Sequence, residues 1–428
     1  MKLTKESLIT GFALFSMFFG AGNLILPPNL GFEAGDTWFL VTIGFMISAV
    51  ILPLLGIFAH ARLQGTLMDF GKKVSPSFSM IYCILIYLIS ITLPSPRTAS
   101  VTHEIAIAPF FGSSPLLTSM LYFILVLFFV LNRSKILDFL GKFLTPIIFV
   151  VILSIICVGI FIPHPPMNSL SINKPLIHGL LEGYQTFDAI AAVVVGGVLI
   201  ISLNLKGTHE FYNKRLVIRN AGVIAGIGLF ITYAGLIYNG ALFNTTFPSD
   251  ISRTQLLSGL SYETLGNIGS VFLSILVSIA CFTTAVGIIT GTSDFFKGVF
   301  NNSSKAYIVT AITSSILGVL MGQFDVQYII IVAIPALVLI YPITIVLIVL
   351  NVLPERWGTP IVFRAVVLIA ILFSIPDFLA AIGYKEIMQP ILNSIPLGNN
   401  TLGWVLPVIT TFILVNLLTK NKLDAKIS

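Results

Sequence analysis

Charge is what this 428-residue chain has least of: Asp, Glu, Lys and Arg supply 9% of it, against roughly 25% in soluble proteins. So little charge cannot cover water-exposed domains, and no stretch of the chain reads as one. Cysteine is nearly as scarce, and Cys83, Cys157 and Cys281 all fall in apolar runs, which leaves no disulfide framework and no thiolate metal site. The five histidines, His60, His103, His164, His178 and His209, stand near the ends of such runs without ligand spacing and read as interfacial residues. Also missing are HExxH, GxSxG and a P-loop with its lysine, and the "DFG" at Asp69 to Gly71 has no glycine-rich or catalytic loop behind it. No enzyme is expected. Short alternating segments are absent too, which speaks against a membrane β-barrel.

What is there is hydrocarbon. Hydrophobic residues make up 56% of the chain and fall into runs near the roughly 20 residues a helix needs to cross about 30 Å of lipid. Twelve are predicted, at about 8–30, 38–60, 78–102, 115–131, 139–162, 176–205, 217–243, 265–296, 306–322, 327–351, 361–375 and 402–419. The expected fold class is therefore an all-α polytopic membrane protein of about twelve transmembrane helices. The first run follows "MKLTKES" like a signal peptide, but it is too long for an h-region and carries Asn23, Pro27 and Pro28, so no cleavage is expected.

The net charge of +6 could suggest a nucleic-acid partner, and position decides against it. With a cytoplasmic N-terminus and twelve alternating spans, nineteen basic residues fall inside: Lys2, Lys5, Arg62, Lys72, Lys73, Arg133, Lys135, Lys142, Lys206, Lys214, Arg215, Arg219, Lys297, Lys305, Arg356, Arg364, Lys420, Lys422 and Lys426. Only Arg97, Lys174, Arg253 and Lys385 fall outside. That asymmetry follows the positive-inside rule and places both termini in the cytoplasm. The expected partners are lipid and a small-molecule substrate; nucleic acid is not among them, and no obligate protein partner is evident.

Candidate chemistry lies where the runs are interrupted. In "FSMFFGAGNLILPPNLG", Phe15 to Gly31, the "GAGN" of Gly20 to Asn23 falls about halfway through the first run, and Pro27 and Pro28 cannot donate to the carbonyls of Asn23 and Leu24. The helix is expected to break at mid-depth and restart after Asn23. Unwound carbonyls there can ligate a cation, and the restarting half-helix turns its positive end toward a carboxylate. The plainer alternative is a kinked helix whose glycines serve close packing.

The sixth run holds a second interruption, "EGYQTFDAIAAVVVGG", Glu182 to Gly197. Asp188 would cost about 2.5–3.5 kcal/mol in hydrocarbon, so it should face a cavity or a partner. The alternative sets it near a membrane face, with Lys174 or His178 neutralising it. In the eighth run Thr283 and Thr284 point about 100° apart and can converge on one small cation, though back-bonding to the preceding turn would explain either hydroxyl alone. In the third run Pro94 and Pro96 flank Ser95 ahead of Arg97. That pattern fits an early helix end or an external vestibule, or equally a proline kink with a snorkelling arginine.

"FFGAGNLILPPNLGFEAG", "LEGYQTFDAIAAVVVGG" and the "TTAVG" of Thr283 to Gly287 together resemble the branched-chain amino acid:cation symporters of bacteria, over nearly the whole chain. That resemblance implies a LeuT-type fold: residues 1–162 and 163–351 as inverted five-helix repeats, 352–428 as two further helices and a tail, and discontinuous first and sixth spans. It implies sodium-driven uptake of leucine, isoleucine and valine across the bacterial inner membrane, with no cofactor. By the same resemblance Gly20, Ala21, Gly22 and Asn23 would line the substrate carboxylate, and Tyr184, Gln185, Thr186, Phe187 and Asp188 its amino group and side chain. Phe19, Gly20 and Asn23, through backbone carbonyls, and Thr283 and Thr284, through hydroxyls, would hold the sodium ion. An alternative is a proton-coupled transporter of another small neutral amino acid, since Asp188 is an intramembrane acid. A passive channel is the remaining alternative.

Overall fold

The computed structural model describes residues 5–132, 145–168, 172–205 and 211–427. Lys2, Arg133, Lys135, Lys142, Lys206, His209 and the start of the fifth run lie outside the described residues, as do the side chains of Lys420, Lys422 and Lys426. Among the described residues there are helices and turns but no strand. In chain order the helices are α1 (Lys5–Phe18), α2 (Ala21–Ala34), α3 (Trp38–Met46), α4 (Leu52–Leu63), α5 (Leu67–Gly71), α6 (Pro76–Thr92), α7 (Pro94–Thr102), α8 (Pro115–Leu131) and α9 (Thr145–Phe161). There follow α10 (Pro175–Tyr184), α11 (Asp188–Leu205), α12 (Phe211–Leu242), α13 (Arg253–Val299), α14 (Ser304–Gly322), α15 (Val326–Val352), α16 (Pro360–Leu379), α17 (Lys385–Ser394) and α18 (Val405–Ile427).

Each expected run carries helix. Among the described residues, seven continuous helical stretches are long and apolar enough to cross a membrane, and three shorter apolar helices accompany them. The number differs from twelve because interruptions cut some runs short and tight bends fuse others. The first and sixth runs are each divided into two short helices. Conversely, α2 joins α3 through a 3-10 turn at Gly35–Thr37, where Gly35 takes φ 51°, a value open to glycine because it has no Cβ. Gly266, at φ 63° and ψ −155°, likewise bends α13 just where the eighth run begins.

The outer faces of the helices are hydrocarbon. Along α8, Leu121, Ile124, Leu125 and Phe128 are each at least half exposed while Phe123, Val126 and Val130 are buried. A stripe that apolar on the open side belongs against lipid rather than water. The chain is a multi-pass membrane protein.

The chain divides into two compact units. One gathers residues 1–54, 87–188 and 216–331; the other gathers 55–86, 189–215 and 332–428. In the first, α2 and α12 approach backbone to backbone: a Cβ on Gly31 would overlap the Ile237 carbonyl, and one on Gly240 would overlap the Pro28 carbonyl. Small residues permit that approach where lipid offers no hydrophobic drive of its own. In the second unit, some buried polar side chains find partners inside the packing. The Tyr82 hydroxyl meets Thr344 Oγ1 at 2.9 Å, and Asn351 Nδ2 donates to the Phe70 carbonyl at 3.1 Å. His60 corrects the interfacial reading: it is fully buried, with Nε2 2.8 Å from the Val193 carbonyl oxygen.

Candidate functional site: two interrupted helices

The first interruption is two residues long. After α1 ends at Phe18, the Gly20 amide turns back onto the Phe18 carbonyl at 2.9 Å, and α2 starts at Ala21 with Gly20 extended (φ −112°, ψ −167°). The restart comes before Asn23, not after it. Pro27 and Pro28 lie inside α2, which runs on to Ala34, so they do not make the break. Their missing donors are tolerated because the helix is held from outside, by the contact of Pro28 with Gly240.

Close approach, rather than flexibility, explains the glycines. A Cβ at Gly20 would lie 3.0 Å from Thr284 Oγ1 and 3.2 Å from its Cγ2, and one at Gly22 would overlap the Arg97 guanidinium. The N-terminus of α2 has no side-chain cap and is buried, which leaves its first amides and the positive end of its dipole directed at the gap. Ala21 and Phe19 are buried beside it, Phe19 stacking on Phe15 at 5.2 Å and on Tyr233 at 6.4 Å between ring centroids.

The second interruption spans Gln185 to Phe187, between α10 and α11. Three successive turns close it, from the amides of Gln185, Thr186 and Phe187 to the carbonyls of Glu182, Gly183 and Tyr184. The Thr186 hydroxyl donates to the Gly183 carbonyl at 2.8 Å and accepts from the Asp188 amide at 3.2 Å, so it caps the half-helix that follows. Phe187 takes φ 64°, a left-handed conformation that costs a bulky residue roughly 1–2 kcal/mol. The Gln185 side chain turns to Glu182 Oε1 at 2.8 Å, and Glu182 also pairs with Arg253 at 2.9 Å. Tyr184 is buried at the end of α10.

Asn23 and Asp188 join the two interruptions. Asn23 Nδ2 lies 2.9 and 2.8 Å from the two carboxylate oxygens of Asp188, and it also reaches the Phe18 carbonyl at the end of α1 at 2.8 Å, beside the Gly20 amide. It further contacts the Tyr233 hydroxyl, which donates to Asp188 Oδ2 at 3.0 Å. Asp188 is 2% exposed and faces these partners rather than lipid. Nor is His178 its counter-charge, since His178 meets Glu33 at 3.2 Å.

Arg97 is a further correction. It does not snorkel: α7, which follows the kink at Leu93–Pro94, is buried along its whole length, and Arg97 is 3% exposed. Its Nη1 donates to the Gln185 carbonyl at 2.8 Å and its Cζ stands 5.3 Å from the centre of the Phe187 ring. One guanidinium thus touches both interruptions. Sequence reasoning undervalued it because arginine near a span end usually reaches for water, and it missed Tyr233 because a single hydroxyl hardly alters an apolar run. The signal for Arg97 was the pair of prolines that turns its helix.

Thr283 and Thr284 both donate to the Ala280 carbonyl, at 2.9 and 3.0 Å, so back-bonding accounts for both hydroxyl protons. Their oxygens keep acceptor lone pairs, and that of Thr284 faces Gly20. Among the described residues no group of three or more His, Cys, Asp or Glu could hold a metal ion, so any cation here would rest mainly on carbonyls and hydroxyls.

Two interrupted helices tied together inside an apolar bundle are a pattern found at the binding sites of membrane transporters. Solved structures agree on the fold. The chain is similar to a substrate-bound, outward-open Na+-coupled sialic acid symporter, with TM-score 0.61 and 14% identity over 96% of this chain and 90% of that one. It is also similar to MhsT in complex with L-phenylalanine, with TM-score 0.57 and 17% identity over 87% and 98%. Residues 3–422 match the family described as branched-chain amino acid transport protein, and the chain belongs to that family. It is 35% identical over 420 residues to the branched-chain amino acid transport system 2 carrier protein of Pseudomonas aeruginosa, covering 96% of this chain and 95% of that one. It is also 35% identical over 430 residues to the branched-chain amino acid permease BraB of Bacillus subtilis, covering 97% and 96%. These relatives are named as carriers and permeases, and this chain is a transporter rather than an enzyme.

Proposed function

We propose that this protein imports leucine, isoleucine and valine across the bacterial inner membrane in symport with sodium. The observation that carries the reading is the junction of the two interruptions: the uncapped N-terminus of α2 and the turn at Gln185 to Phe187, bridged by Asn23 and Asp188. A zwitterion with a branched tail finds counterparts there. The α2 N-terminus at Gly20 to Asn23 suits its carboxylate, Asp188 suits its ammonium, and Tyr184, Gln185, Thr186 and Phe187 flank the rest. Selection among the three side chains should be soft, since one methylene is worth about 1–3 kcal/mol.

The sodium ion would sit between the carbonyls of Phe19, Gly20 and Asn23 and the hydroxyls of Thr283 and Thr284. Support comes from the contact of Gly20 with Thr284. Oxygen ligands of low formal charge suit a cation that must leave on every cycle. Its entry releases about 2.3 kcal/mol per 100 mV of membrane potential, and coupling follows where ion and substrate favour the same conformer. The wider architecture belongs to the same reading: twelve spans, inverted repeats at 1–162 and 163–351, two further helices in 352–428, and cytoplasmic termini.

Uptake of labelled leucine into proteoliposomes under a sodium gradient, a proton gradient or neither tests it directly. Accumulation above the external concentration with sodium alone is expected. Accumulation with a proton gradient alone would favour the second reading, in which Asp188 carries the coupling proton, a role suited to a carboxylate buried between Asn23 and Tyr233. No accumulation of any of the three amino acids under either gradient would end both.

A further inference from the structure

The second unit gathers basic residues that the transport reading does not use. Residues 62–73 and 352–364 carry five cations, Arg62, Lys72, Lys73, Arg356 and Arg364, against two carboxylates, Asp69 and Glu355. The fold brings both segments to one junction. Arg62 Nη1 donates to the Val352 carbonyl at 3.0 Å and also reaches that of Leu353; Lys73 Nζ donates to the Gly358 carbonyl at 3.1 Å, and Arg364 Nε to the Val74 carbonyl at 3.0 Å. Lys73 also stands 5.0 Å from the centre of the Phe363 ring and Arg356 5.9 Å from that of Trp357, while Lys72 lies 4.0 Å from Asp69. One carbonyl fixes the place of a side chain without answering its charge, since a guanidinium has five N–H donors and an ammonium three. Burial holds the Lys73 ammonium below the ordinary lysine range; Glu355 draws it back up and the nearby Arg62 charge pushes it further down.

Arg364 also heads an apolar stripe. Beyond Pro360, the exposed residues of α16 are Ile361, Arg364, Leu368, Leu372 and Ile375, which recur every three or four residues on one face. From Arg364 to Ile375 the stripe runs roughly 16 Å at about 1.5 Å per residue, close to one leaflet's share of a hydrocarbon core of about 30 Å. Trp357, exposed just before the helix begins, suits the level of the headgroups.

We propose that this patch is a binding site for an anionic phospholipid, with the phosphate among Arg62, Lys73, Arg356 and Arg364 and an acyl chain along Leu368, Leu372 and Ile375. Cations crowded together repel, and a phosphate that takes charge-assisted hydrogen bonds from several of them relieves that cost. A free phosphate would answer the charge and leave the stripe unused, whereas a charged head and an apolar track in one line match a lipid. With the orientation set by the positive-inside rule, the site faces the cytoplasmic leaflet, whose anionic lipids attract basic segments beside a span.

The test is titration of the purified full-length chain in detergent with phosphatidylglycerol and with phosphatidylcholine of the same acyl chains, bound lipid being counted by native mass spectrometry. Wild type should hold phosphatidylglycerol at least about tenfold more tightly. Lys73→Gln combined with Arg364→Gln should weaken phosphatidylglycerol roughly 25-fold, about fivefold for each cation, and leave phosphatidylcholine nearly unchanged, so that the preference disappears. Arg356→Gln alters one exposed side chain and should cost about fivefold, which keeps the proposal open to refutation where the double variant does not fold. Lys385→Gln, beyond the other end of α16, should change nothing, and Leu368→Gln should weaken both lipids alike. Equal affinity of wild type for the two lipids, a preference that survives both the double variant and Arg356→Gln, or an equal loss in Lys385→Gln would overturn the site. Displacement of phosphatidylglycerol by an equal concentration of inorganic phosphate would overturn the lipid as its occupant. The transport reading stands under each of these outcomes.

Discussion

The two interruptions reach similar ends by opposite means. The break at Phe19–Gly20 is short, stays in ordinary backbone regions and depends on the absence of side chains, because Thr284 and Arg97 press where Cβ atoms would be. The break at Gln185–Phe187 is longer, forces a phenylalanine into left-handed backbone, and is held by side chains: Thr186 from within, Arg97 from α7. One is permissive and one is strained. In a strained turn, side-chain bonds must over-determine the conformation, whereas a gap lined by glycines needs only that nothing grow into it.

Five substitutions set this comparison at risk. The largest effect should come from the tie between the breaks. Asp188→Asn removes the negative pole, and leucine uptake at limiting substrate should fall about 30-fold or more; uptake within twofold of wild type would show that the two breaks work independently. Next, Gly20→Val pushes branched carbons onto Thr284. Overpacking of this kind costs about 1–3 kcal/mol, so uptake should drop roughly ten- to a hundredfold while the detergent elution profile stays monodisperse.

A smaller effect separates the two threonines. Thr284→Ala should raise the sodium concentration for half-maximal uptake about threefold to tenfold, as expected for one hydrogen-bond-strength interaction. Thr283→Ala should raise it less, because the three atoms nearest to the place of a Gly20 side chain all belong to Thr284. Equal shifts would mean that both hydroxyls reach the ion; no shift in either would remove the pair from its site. The smallest effect is expected for Pro27→Ala. Since α2 runs through its prolines, uptake should stay within about twofold, the scale of a surface change. A collapse of uptake would return the break to the prolines.

The interrupted segments themselves were legible before any coordinates. Glycine, asparagine and aspartate stand out against hydrocarbon, where each polar group needs a partner, so Gly20 to Asn23 and Glu182 to Asp188 announced themselves as places of business. The point of rupture in the first was not legible. Proline removes a hydrogen bond wherever it stands, but whether the helix then parts depends on what packs around it, and Gly240 against Pro28 holds α2 together. Arg97 was visible as a residue and misjudged as a direction. Its distance from the run's end allowed it to reach water, and only the burial of α7 shows that it turns inward.

By itself, the sequence determined that this chain lives in lipid, that it is helical, and which two runs cannot cross as plain coils. Those properties follow from local composition, because hydrocarbon imposes the same hydrogen-bonding demand on every segment alone. The tertiary structure decided which polar groups answer one another: Asn23 with Asp188 across 165 residues, Tyr233 with both, Thr284 beneath Gly20, and Arg97 between the breaks. Such pairings depend on how helices far apart in the chain rotate and pack, and small residues set that by shape rather than by any pattern along the chain.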